Sequence, residues 1–488
     1  MVDVQGVVTP KHLVNGEWIA GSGDTRFEVF DPATGQAVAE LQSASSAEVD
    51  AAVEGAAAAF EEWSALSMQR RVQYLYRMRQ SLQDNSERLA QTLSLDHGKT
   101  LDEARGEVMR AGGYLETALA APMLSHSKSG DVAAGVEARH VREPLGVCLA
   151  VTPSNFPVMN PAMFTGWALA MGNTLIIKPS EQDPMATTAL VALFQECGLP
   201  KGVLSLVHGT AETTKQLIAH PKVVAVSCIT SSPTAKAISE QAGLAGKRVQ
   251  ANGGAKNPIV VAADADLGLA ARGIVESAFG MAGQRCLAGT RIIVDDAIHD
   301  QLVEQVAQLS DEIVVGAGRD EGVTMGPVVT AASKARLVAA LEQAEAAGAT
   351  LVRDGRKVTV KPGTATEAGY FFGPTIITGL DASHPTDCQE LFGPVIVVHR
   401  ATSLEDAIAL ANDTEFGNAA TLFTRSGAAA RAFERGVRSG NIGINSFPAP
   451  PADLTMGGLG TSFYGQTHVG GDSYVRFYSE EKLVVSRW

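Results

Sequence analysis

The chain has 488 residues, 45% hydrophobic and 19% charged, with 39 Lys+Arg against 53 Asp+Glu and a formal net charge of −14. That length and apolar content can bury several cores in two or three large domains, which excludes disorder over most of the chain. The acidic balance repels phosphodiester backbones and anionic membrane, and no apolar run of about 18 residues exists to span a bilayer, so neither nucleic acid nor membrane is an expected partner.

The opening MVDVQGVVTPKHLVNGEWIAG has no basic segment followed by an apolar stretch and a small-residue cleavage site. Secretion is therefore unsupported. FEVFDPATGQAVAEL follows, with a DPATG turn between two β-rich runs. Ser45-Ser46-Ala47-Glu48 has the pattern of a capping box for a helix through VDAAVEGAAAAFEEW, and Ser67 is placed to cap RRVQYLYRMRQSLQ. Residues 126–144 are polar and interrupt the pattern.

From about residue 144 the rhythm is regular. GVCLAVT, NTLIIKPS, VLSLVHG, VVAVSCIT and KRVQAN read as buried strands separated by helical segments, which specifies parallel βαβ units. The alternation resumes with NPIVVAAD, a long helix to about Gly283, TRIIVDD and further pairs to NIGIN at 441–445. Two α/β domains in series are expected. The closing SYVRFYSEEKLVVSRW alternates β-formers and, like 126–144, reads as a projecting strand in need of a partner edge. No fixed-period repeat occurs.

Five cysteines, at 148, 197, 228, 286 and 388, are too scattered for a disulfide framework, and none forms a CxxC pair. A reducing cytoplasm is the expected compartment. Cys286 differs from the rest because it sits in the Gly-rich GMAGQRCLAG, just past a helix. There Arg285 and backbone N–H groups are expected to favour the nucleophilic thiolate. No GxGxxG is present, and the GxGxxxG at 316–322 reads as a loop.

VNGEWIAG, EPLGVCLAVTPSNFP, IIKPSE, GGAKNP, GQRC and ELFGP occur in order along nearly the whole chain. With them the sequence resembles the NAD(P)-dependent aldehyde dehydrogenase superfamily. Its likeness is greatest to the CoA-acylating methylmalonate-semialdehyde dehydrogenase branch, through LPKGVLSLVHG, GKRVQANGGAKN, EVMRAG and SGAAARAFE. The resemblance implies a Rossmann-like NAD-binding domain over 1–125 and 145–255, and an α/β catalytic domain over 256–460. It also implies a β oligomerisation arm from 126–144 and 461–488, giving a homo-oligomer, dimer or tetramer.

The resemblance also implies roles for individual residues. Cys286 would attack the aldehyde, and Asn155, with the Cys286 N–H, would stabilise the oxyanion. Lys178 and Glu181 would hold the adenosine ribose and favour NAD over NADP. Ser231 would approach the pyrophosphate, Glu390 would grip the nicotinamide ribose, and Phe156 and Phe392 would pack near the cofactor. Arg110 and Arg285 would bind a carboxylate on the substrate. No metal is implied. Asn252 lies 34 residues before Cys286, where ordinary members carry the glutamate that activates water. An amide cannot accept that proton, so coenzyme A, a thiol that ionises by itself, is the expected acyl acceptor.

Ser154, Cys228 and Thr230 depart from the usual pattern and are expected to enlarge or reshape the aldehyde and nicotinamide pockets, and FPAPPADLTMGG differs from the branch's usual approach to the active-site mouth. A hydrolytic dehydrogenase using another base, a catalytically silent homologue and a cysteine esterase are the competing readings.

Overall fold

The computed structural model describes residues 10–488. Its centre is two sheets that are mostly parallel. The first has eight strands in the order Phe463–Gly465, Arg248–Asn252, Val223–Ile229, Val147–Val151, Thr174–Lys178, Leu204–Leu206, His12–Val14 and Glu17–Ile19. Its inner strands are parallel and both edges are antiparallel. Val147–Val151 and Thr174–Lys178 are buried along their whole length, as covering helices on both faces require.

The second sheet has seven strands in the order Thr350–Arg353, Thr375–Thr378, Val395–Ala401, Gly289–Asp295, Asn257–Val261, Ala419–Phe423 and Asn441–Ile444. All pair in parallel except Thr350–Arg353 at the edge. A third, outlying sheet joins Ser479–Arg487, Val136–Pro144 and Ser129–Ala133. Among the described residues no helix is long and apolar enough to cross a membrane.

Local signals act where expected. Ser45 caps the helix Ser46–Ala65 in a full capping box with Glu48, and Ser67 accepts from the Arg70 N–H at the start of Met68–Asp84. Asp31 closes the DPATG turn, its carbonyl accepting from the Gly35 N–H at 2.8 Å and its Oδ1 from the Ala33 N–H at 2.9 Å.

Two elements differ from the sequence reading. The helix expected to reach Gly283 stops at Phe279, and Met281 and Ala282 take left-handed angles (φ 53° and 52°). Both side chains stay buried, so apolar periodicity continues past the point where the helix has ended. Residues 461–478, expected in the arm, belong instead with the first sheet. Phe463–Gly465 pairs with Gln250–Asn252, and Ser473–Phe477 is a short helix whose Tyr474, Val475 and Phe477 sit in the core beside Trp167 and Phe164. Burial of those aromatics outweighs the β-forming composition.

Candidate active site

The carboxyl edge of the first sheet faces the amino edge of the second, and nearly every residue singled out above falls on one of these two rims. Lys178 and Asn252 end strands of the first sheet, while Asn155 and Ser231 lie in the loops just beyond two others. Cys286, Glu390 and Phe392 lie in loops that enter strands of the second sheet. Ligands of open α/β sheets bind at such carboxyl rims.

Cys286 is half-buried. Its carbonyl accepts from Asn257 Nδ2 at 2.9 Å and Asn418 Nδ2 at 2.8 Å. Asn257 also donates to the Ala288 carbonyl and accepts from the Ala419 N–H, each at 2.9 Å, so it ties the loop to two strands. Asn155, 3% exposed, donates from Nδ2 to the Gln284 carbonyl at 3.1 Å. An amide has two N–H donors, which leaves one for an oxygen near Cys286.

The expectation that neighbours hold this sulfur as a thiolate is corrected. Burial, and secondarily the Glu390 charge, push the thiol up to about 11. The Cys286 N–H, Arg285 and the Leu287 N–H pull the other way without prevailing. Burial likewise lifts the Glu390 carboxyl to about 7, opposed by the Ala255 N–H, Lys256 and Arg336.

The Glu390 Oε1 accepts from the Ala255 N–H at 2.8 Å, and a Cβ on Gly254 would sit 2.2 Å from Oε2. Gly254 therefore makes the cradle for this carboxylate. Phe392 holds a left-handed backbone (φ 53°) two residues on. On the other rim, buried Lys178 pairs with exposed Glu181 at 2.9 Å. Ser231 opens the helix Ser232–Leu244; its exposed hydroxyl donates to the Thr234 hydroxyl at 3.1 Å and does not cap the helix. Those free N–H groups and the glycine cradle fit a dinucleotide laid across the gap.

Asn252 is buried, its Nδ2 3.5 Å from the Cys228 carbonyl. The Cys228 side chain packs in the core with Val226, Ala235 and Val249. It is fully buried there, on the helix-covered face of the sheet.

Arg110 is exposed and its guanidinium lies 5.8 Å from the Phe156 ring. Arg285 stacks 5.3 Å from Phe447, but donates from Nη2 to the Glu276 carbonyl and, at 3.0 Å, to that of Ser277. It thus closes the end of the helix Leu267–Phe279, and its buried Nε meets no partner among the described residues. A groove of about 760 Å³, lined in part by Arg79, Met109, Arg110, Tyr114 and Pro450, opens beside Arg110. Tyr114 lies close enough to both Cys286 and Arg110 for their charges to act on its phenol.

Sequence reasoning missed Lys99, Glu103, Glu107, Asn257, Gln284 and Asn418. The Thr100–Glu103 capping pattern was open to reading; buried charges such as Lys99 and Glu107 carry no local signature.

With this geometry in hand, comparison with known proteins is decisive. Residues 18–484 match the Aldehyde dehydrogenase family. The chain belongs to that family. It is 39% identical over 487 residues to malonate-semialdehyde dehydrogenase 2 of Bacillus thuringiensis (strain Al Hakam), covering 99% of each chain. It is 40% identical over 481 residues to malonate-semialdehyde dehydrogenase 2 of Geobacillus thermodenitrificans (strain NG80-2), covering 98% of this chain and 99% of that one. Among solved structures, a putative methylmalonate-semialdehyde dehydrogenase from Sinorhizobium meliloti 1021 complexed with NAD superposes with a TM-score of 0.96 at 34% identity, over 99% of both chains. The methylmalonate-semialdehyde dehydrogenase of Oceanimonas doudoroffii gives 0.96 at 36% identity, over the same 99% of each.

Proposed function

We propose that this aldehyde dehydrogenase oxidises a carboxylate-bearing semialdehyde with NAD and delivers the acyl group to coenzyme A. Malonate or methylmalonate semialdehyde would yield acetyl-CoA or propionyl-CoA plus CO2. The observation that carries the reading is Asn252 at the end of its strand, in a site whose Cys286 and Asn155 are otherwise complete.

The Cys286 sulfur, once deprotonated, adds to the aldehyde carbon. The free Asn155 N–H and the Cys286 backbone N–H receive the oxyanion, a contribution of about 3–4 kcal/mol per donor in a preorganised site. Lys178, Glu181, Ser231, Glu390, Phe156 and Phe392 are the residues that would hold NAD, which supplies a hydride acceptor when bound. Loss of hydride leaves a thioester on Cys286. Its β-carboxylate, held by Arg110 with Arg285 behind it, departs as CO2, and the thioester enolate left by the broken C–C bond takes up a proton from water. Asn252 cannot deprotonate water, so the thioester persists until the thiol of coenzyme A displaces the Cys286 sulfur.

One observation favours a second reading. Glu390, raised to about 7, acts electrostatically on Cys286 and is a base of suitable strength for hydrolysis. Its bond to the Ala255 N–H holds it in the ribose cradle, which supports the CoA reading. Product analysis separates the two. Acyl-CoA formed in equal amount with NADH, and turnover that stops when CoA is omitted, is expected; free acid at an undiminished rate overturns the proposal.

The outlying sheet, with Val132, Leu483 and Trp488 exposed on it and at its end, supports an oligomer of dimer or tetramer size. Five free cysteines support a reducing compartment such as the cytoplasm.

A further inference from the structure

The helix Leu101–Leu119 begins at a point where both halves of the reaction centre are tied down. Lys99, just before it, is fully buried; its Nζ donates to Glu107 Oε2 at 2.5 Å and to the Asn155 carbonyl at 2.7 Å. Glu107 Oε1 accepts from the Val158 and Met159 N–H groups at 2.8 and 3.0 Å, at the start of the helix that follows Asn155. The oxyanion loop is thereby clamped from below.

The nucleophile loop is reached from the same turn. Thr100 caps the helix, its N–H donating to Glu103 Oε2 at 2.9 Å and its hydroxyl accepting from the Glu103 N–H at 3.2 Å. A capping box needs only one carboxylate oxygen. The other, Glu103 Oε1, accepts from the Met281 N–H at 2.6 Å. Met281, Ala282 and Gly283 are consecutive left-handed residues (φ 53°, 52° and 71°), a strained arrangement for Met and Ala that must be held from outside. The Met281 carbonyl accepts from the Gln284 N–H and its Nε2, each at 3.1 Å, and the Gln284 carbonyl accepts from Asn155. With the Lys99–Thr100 peptide bond, these hydrogen bonds form a closed circuit from Asn155 through Lys99, Thr100, Glu103, Met281 and Gln284 back to Asn155.

We propose that Glu103 is a positioning residue: by holding the Met281 N–H it fixes the distance between the Cys286 sulfur and the Asn155 amide. The inference rests on Cys286 as nucleophile and on nothing about the acyl acceptor. Glu103 does not touch substrate. Its loss lets the left-handed turn relax, and misplacement by about 1 Å costs on the order of a hundredfold in rate.

The test uses the full chain with two readouts, the pre-steady-state NADH burst with malonate semialdehyde and the alkylation of Cys286 by iodoacetamide followed by mass spectrometry. Alkylation needs the thiol but no oxyanion donor. Glu103→Asp keeps the charge and withdraws both oxygens by one carbon; Glu103→Gln keeps the reach but has a single acceptor oxygen, so it serves the Met281 N–H only by giving up the Thr100 N–H. The Asp variant, and Glu103→Ala with it, is expected to lose about 30- to 100-fold in burst rate at a KM within about threefold, with alkylation within about threefold of the parent. The Gln variant, which can still present one oxygen to the Met281 N–H, should fall between the parent and the Asp variant in burst rate. A full burst in Glu103→Asp, or parallel loss of burst and alkylation, would each overturn the proposal. A burst that survives Cys286→Ala overturns the nucleophile assignment and this proposal with it.

Discussion

Cys286 and Glu390 impose opposite demands on pH. With its thiol near 11, only about one sulfur in 10⁴ is ionised at pH 7. Alkylation of the ligand-free protein should therefore rise nearly tenfold per pH unit from 7 to 10. A plateau already at pH 8, in stopped-flow or mass-spectrometric assays, would contradict the electrostatics described. Glu390→Gln removes the repelling charge and should speed alkylation several-fold at pH 8. The same carboxyl affects stability. Its value in the folded chain, about 7, lies above the ordinary 4.5, so the folded state binds the extra proton and loses stability as pH climbs through that window. Thermal melts at pH 5 and pH 8 should show a smaller difference in the Gln variant than in the parent.

Asn252 carries the most specific single-residue prediction. Asn252→Glu places a carboxylate where a water-activating base belongs, and steady CoA-independent release of free acid should appear in product analysis. Continued dependence on CoA in that variant would show that the amide is not what suppresses hydrolysis. Arg110 is exposed and, among the described residues, has no acidic partner, in contrast to Arg285, whose guanidinium closes a helix. Arg110→Leu should raise KM for a semialdehyde by about 10- to 100-fold while leaving a neutral aldehyde such as propanal within about threefold. Equal effects on both would remove Arg110 from carboxylate binding.

At the scale of elements, what was legible in the sequence was whatever is decided locally. Alternating buried strands and amphipathic helices announced the two sheets, and Ser45, Glu48 and Ser67 marked helix starts because capping acts within three residues. The helix end at Phe279 was hidden because Met281 and Ala282 remain buried after the backbone has reversed its hand. The short helix Ser473–Phe477 was hidden because its aromatics are claimed by a distant core. Lys99 looks, in one dimension, like an ordinary loop charge and Glu107 like a helix-surface one, yet both side chains are completely buried. Their partners, Asn155 and Val158, lie 56 and 51 residues away. Removing either charge leaves the other unpaired in the interior, so Glu107→Ala should destabilise the chain by about 3–5 kcal/mol in denaturant melts.

Across the whole molecule, the site exists only because two rims are held face to face. The Asn155–Gln284 and Ala255–Glu390 hydrogen bonds span 129 and 135 residues of sequence and join opposite sides of the gap. The outlying sheet is rooted in the same body. Arg248 donates to the Phe477 and Ser479 carbonyls, both at 2.7 Å, and Ser479–Arg487 then pairs with Val136–Pro144 along its full length. Deleting residues 479–488 strips one strand from that sheet without touching the gap. Sedimentation should then show smaller particles that still undergo Cys286 alkylation; unchanged particle size would exclude the arm as the contact between copies.

The most direct measurement is the fate of the acyl group on Cys286. After one turnover with labelled malonate semialdehyde and NAD, quenched samples should retain label on the Cys286 peptide for many seconds in buffer, then lose it within the mixing time once coenzyme A is added. Label that vanishes equally fast in buffer alone, with free acid as product, would contradict the account at its centre.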